Sequence, residues 1–82
     1  MNKAQIKQVM TVIRPAIRAL YGMQRLHLIG YKLVAYNTAG DIIGGWFTVG
    51  NRTGRIYKVK LVDYTEIDTV YEDKVETDAK ID

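Results

Sequence analysis

Four cations, Lys3, Lys7, Arg14 and Arg18, follow one another at intervals of four, seven and four residues, and no acid precedes Asp41. On a helix that spacing gathers them on one side. A stripe of this kind neutralises phosphates and releases their counterions, so its chemistry is that of a polyanion-binding surface. The alternative is a solvated helix face, or a dock for an acidic protein or an anionic membrane. A second constellation interleaves rings with bases: Tyr31 and Lys32, then Trp46, then Arg52, Arg55, Tyr57, Lys58 and Lys60. Aromatic rings beside Lys and Arg are what single-stranded nucleic acid requires, because bases stack on the rings while the cations hold the backbone. Packing between strands or in a core competes as an explanation, above all for Tyr57 and Phe47.

Enzyme chemistry fails on inventory. The chain has no Ser and no Cys, which removes two of the usual nucleophiles. Its single histidine, His27, sits in an apolar stretch with no other ligand type nearby, so no zinc site is expected. Asp63, Glu66 and Asp68 lack the glycine and the closing Glu of a calcium loop. The glycine-bearing stretches 40–45 and 50–54 do not precede a helix, so they read as hairpin turns rather than phosphate cradles. Asn51, Arg52 and Thr53 spell a glycosylation acceptor, taken here as chance in a chain without a secretory signal. No catalytic residue, metal or cofactor is therefore expected.

Charge is divided unevenly. Residues 1–60 carry ten Lys and Arg against one acid, a net +9, whereas residues 61–82 carry eight acids against Lys74 and Lys80, a net −6. A basic body with an acidic tail results, and the tail is either a solubilising terminus or a competitor for the basic surface.

The elements that must carry these side chains are legible from periodicity. Ile6, Val9, Met10, Ile13, Ile17, Leu20 and Tyr21 recur every three or four residues, which predicts an amphipathic helix over about 3–21 within a helical segment 1–22. Asn2 and Gln5 are placed for a capping box, and Gly22 for the C-terminal turn. Pro15 interrupts the helix. Because the apolar face stays in phase across it, one helix kinked at Pro15 is expected rather than two. The basic stripe falls opposite the apolar face.

Segment 25–64 predicts three strands: 26–36, 42–49 and 55–64, separated by turns at 37–41 and 50–54. In the second strand, strict alternation puts Ile43, Gly45, Phe47 and Val49 on one face, and Ile42, Gly44, Trp46 and Thr48 on the other. Beyond Thr65 the pattern fits either a short helix or a fourth strand near 67–71, with a frayed tail to 82. Residues Thr53–Val59 resemble the turn-then-strand of small helix-plus-sheet modules of the PepSY kind. The likeness covers seven residues that any hairpin supplies, and nothing is carried over from it.

The expectation is thus a single α+β domain, 1–82: an N-terminal amphipathic helix on a three- to four-stranded antiparallel meander. Its function is expected to be non-enzymatic binding. Nucleic acid is the first partner, through Lys3, Lys7, Arg14 and Arg18 or through Trp46, Arg52, Arg55, Lys58 and Lys60. The alternative is a protein-binding adaptor or small inhibitor, of the kind found in mobile elements. It would use an open sheet face bearing Ile42, Trp46 and Ile56, with self-association as a variant. No apolar run is long enough to span a membrane, and the absence of cysteine and of a secretory signal suggests the cytoplasm.

Overall fold

A computed structural model describes residues 1–73. Helix α1 runs from Lys3 to Tyr21 and is followed by four strands: β1 (His27–Tyr36), β2 (Ile42–Gly50), β3 (Ile56–Asp63) and β4 (Glu66–Asp73). The strands form one antiparallel sheet in the order β1-β2-β3-β4, a plain meander with the helix packed on one face. This is the expected α+β architecture, with the fourth strand present.

The helix begins where its sequence provides for the first orphan amides. Asn2 Oδ1 accepts from the Gln5 amide at 2.8 Å, and Gln5 Oε1 accepts from the Asn2 amide at 3.0 Å. It ends at Gly22, whose φ of 92° is a conformation that L side chains avoid, and whose N–H donates to the Arg18 carbonyl. The helix passes Pro15 as one uninterrupted element. A kink at Pro15 is not shown.

Val9, Met10, Ile13 and Ile17 of the helix close over Phe47 and Val49 of β2 and Tyr57, Val59 and Leu61 of β3, with Leu26 and Ile42 completing the buried cluster. Tyr57 is fully buried and packs against Tyr21 with ring centroids 4.8 Å apart and planes tilted by 40°, and its hydroxyl donates to Gln24 Oε1. Tyr57 and Phe47 are thus core residues. Both turns rest on an asparagine. Asn37 Oδ1 accepts from the amides of Ala39 and Asp41, and Asn51 Oδ1 accepts from those of Thr53 and Arg55. Asn51 also donates its side-chain amide to Gln24, so the would-be glycosylation acceptor is committed to the turn.

One expectation changes. Ile42, assigned by alternation to the same face as Trp46, is fully buried in the core with Phe47 and Val49. The cause is an irregularity at Gly44 and Gly45. Register passes from Lys32 opposite Trp46 directly to Ala35 opposite Gly44, and Gly45 adopts φ 143°. Its backbone lies so close to β1 that a Cβ there would sit 3.0 Å from Val34 Cα. The register skips Leu33 and Val34 of β1 and then Ile43 of β2, so alternation along β2 breaks between Trp46 and Ile42, and Ile42 lands inward. Both main-chain polar groups of Ile42 are bonded by Gln8, which donates to its carbonyl and accepts from its amide. Ile42 is therefore unavailable as a docking residue.

The segment beyond Thr65 resolves as strand rather than helix. Ile67 and Val70 pack against the core, although three residues apart, because register skips at Asp68. The rest of the acidic segment, 74–82, lies outside the described residues. No helix among the described residues is long and apolar enough to cross a membrane.

Candidate functional site

The helix covers one face of the sheet, so the other face is where side chains of β1 to β4 meet solvent. Register fixes which ones. Lys32, Trp46, Lys60 and Thr69 form one row across the four strands, and Gly30, Thr48, Lys58 and Tyr71 form the next. The pleat turns these outward because Phe47, Val59 and Val70, their chain neighbours, turn inward.

Within this grid Trp46 and Tyr71 meet edge to face, their ring centroids 6.3 Å apart and their planes at 72°. The ammonium of Lys60 stands 5.9 Å from the Trp46 ring, within cation–π range. Lys58 donates to Thr48 Oγ1 at 3.1 Å, which sets its ammonium beside the rings. Tyr31, Lys32, Trp46, Thr48, Lys58 and Tyr71 line an open depression of about 320 Å³. No carboxylate lines it. Tyr31 stands at its margin, its hydroxyl accepting from the Met1 ammonium at 2.9 Å. The arrangement offers two ring surfaces and three ammonium groups to one ligand, which suits a flat, anionic, π-rich molecule.

The nine residues singled out from sequence divide among three places. Trp46 and Lys58 line the depression, and Lys60 stands beside it, over the Trp46 ring. Arg52 and Arg55 lie in the β2–β3 connection at one end of the sheet. There Arg52 lines a separate hollow with Met23, Gln24 and Arg25, while Arg55 pairs with Glu72 of β4 at 3.9 Å. Lys3, Lys7, Arg14 and Arg18 are all exposed on α1, in the other layer, where Arg14 donates to the Leu26 carbonyl at 3.2 Å. A single basic surface joining all nine is thus not what the fold builds.

Tyr71 and Thr48 belong to the depression and were not singled out. Tyr71 lay in the segment where helix and strand could not be told apart, so its face was undefined. A register placing Val70 inward, opposite Val59, would have exposed it. His27 is exposed at the start of β1, and among the described residues no three His, Asp or Glu gather as metal ligands do. Compared with known proteins, the chain matches no family model, no curated protein and no solved structure.

Proposed function

We propose that this chain is a small non-enzymatic module that binds single-stranded nucleic acid on its open sheet face. One observation carries the reading: Trp46 and Tyr71 stand 6.3 Å apart in a depression whose charged lining residues, Lys32 and Lys58, are both cationic. Bases stack on the rings without sequence preference, while Lys32, Lys58 and Lys60 meet the phosphates. Working on nucleic acid, in a chain without cysteine, fits a cytoplasmic location.

The test uses labelled eight-nucleotide DNA and RNA single strands in 50 mM salt, followed by anisotropy and by quenching of Trp46, the only tryptophan of the chain. A stacked base contributes about 1–3 kcal/mol, so Trp46→Ala is expected to weaken binding by about 5- to 150-fold. Wild-type protein that neither raises anisotropy nor changes its emission at 50 mM salt ends the proposal.

A protein partner is the second reading, and a specific patch favours it. Ile29 is 53% exposed and lies over Gly50, next to Ile56 on the same face. An apolar pair on the same open face as Trp46, two cross-strand rows away, has the makings of a hot spot. Ile29→Asp would then abolish partner capture while leaving oligonucleotide binding intact, the reverse of what Lys58→Gln does under the first reading. Sedimentation over a range of concentrations would reveal self-association through the same patch.

A further inference from the structure

We infer that the outer side of α1 is a second strand-binding surface, so that one protomer holds two single strands on opposite layers and brings them together. This rests on the nucleic-acid reading of the sheet face and adds a second site to it.

At 100° per residue, Lys3, Lys7, Arg14 and Arg18 fall within about 60° of one another, in a stripe about 22 Å long. All four are exposed, whereas Val9, Met10, Ile13 and Ile17 of the same helix are buried against the sheet. Helix α1 contains no acid. Asp41, the one acid before residue 60, lines a hollow with Gln5 and Gln8 on another side of the helix, and its carboxylate accepts from Asn37. Among the described residues none of the four cations is in an ion pair, in contrast to Arg55.

The stripe is straight and, among the described residues, in no ion pair, and its Arg14 and Arg18 border a shallow hollow with Met23, Gln24 and Leu26; a linear polyanion matches it. A bilayer would require apolar side chains along the cations, but Val9, Met10, Ile13 and Ile17 are buried in the core, and Leu20 at the C-terminal end is the only large apolar residue of α1 that is largely exposed. The stripe has no ring to stack a base, so it holds phosphates only, and its binding is weaker and more salt-sensitive than that of the sheet face. The whole helix-on-sheet thickness separates the two surfaces, so occupation of one leaves the other free. Two strands held on one protomer experience each other at a raised effective concentration.

The test mixes donor- and acceptor-labelled oligothymidylates, which cannot pair with each other, with wild-type protein and with K3Q/K7Q/R18Q. Arg14 is kept because it bonds to the Leu26 carbonyl, and circular dichroism checks that the variant folds. Wild type is expected to give energy transfer at one protomer per two strands, with sedimentation showing a single protomer in the complex. The variant is expected to lose the transfer while its affinity for one eight-nucleotide strand changes by less than about twofold, since the sheet lysines are untouched. Equal transfer in both proteins, or transfer only in complexes with two protomers, overturns the inference. So does saturated single-strand binding by wild type without transfer, which leaves the sheet-face reading standing. Absence of any strand binding removes both. Stripe-dependent binding of phosphatidylserine vesicles or polyglutamate, without transfer between strands, assigns the stripe another occupant and also overturns it.

Discussion

Replacing Lys60 by Gln is expected to flatten the salt dependence of single-strand binding by a calculable amount. Three ammonium groups, Lys32, Lys58 and Lys60, stand in the two cross-strand rows of the open face. Each phosphate neutralised on a single strand contributes about −0.7 to the slope of log K against log salt, so three give a slope of about −2. Between 50 and 200 mM salt, affinity then falls about 20-fold. Removing one charge leaves a slope of about −1.4 and a fall of about 7-fold. Lys60→Gln also withdraws the cation 5.9 Å from the Trp46 ring, so absolute affinity drops at every salt concentration. The assay is anisotropy of an eight-nucleotide strand at four salt concentrations with wild type and variant. A wild-type slope shallower than about −1, or one unchanged in the variant, would refute the assignment of phosphates to these lysines. A slope steeper than about −4 would mean that the helix cations share the same strand, which contradicts two separate surfaces.

Three further outcomes are expected. Tyr71→Ala should weaken single-strand binding by about 5- to 150-fold, and Tyr71→Phe should retain it, because the ring and not the hydroxyl receives the base; equal losses in both variants would speak against stacking. Pro15→Ala restores an amide inside α1 and should raise stability by about 2 kcal/mol, or about 8–16 °C in the thermal midpoint; an unchanged midpoint would show that the helix already fits its proline without cost. Gly45→Ala forces a Cβ to within 3.0 Å of Val34 Cα and 3.3 Å of Phe47 Cζ at φ 143°, which should lower stability by about 1–3 kcal/mol in urea titration; no shift in the urea midpoint would mean that the bulge is not tightly held.

Periodicity carried the helix, its cap, the order of the strands and the turns, because each depends on neighbours a few residues apart. It failed where one strand's phase is set by another. Ile42 looks outward on any alternation anchored at Trp46, and only the break in register with β1 at Gly45 and Ile43 turns it in. Tyr71 is the converse case. Ile67, Val70 and Tyr71 fit a helix as well as a strand, and pairing with β3 decides the matter by bringing Tyr71 opposite Lys58. The division of the basic residues was also out of reach. Net charge counts Lys3 and Lys60 alike, yet they stand in different layers.

That separation follows from the architecture. A single 19-residue helix covers one face of a four-stranded sheet and leaves the other to its own side chains. An uncovered sheet face bearing Trp46, Ile29 and Ile56 would associate with its like in the absence of a countermeasure. Lys32, Lys58 and Lys60 supply one, since two copies approaching through this face would bring six ammonium groups together in a low-dielectric gap. The stems of these lysines can lie over apolar surface while their heads remain hydrated. On the proposed nucleic-acid reading, the same charges draw a polyanion to the face, and its flat bases meet the rings. On the proposed reading, one set of residues both opposes self-association and selects the ligand.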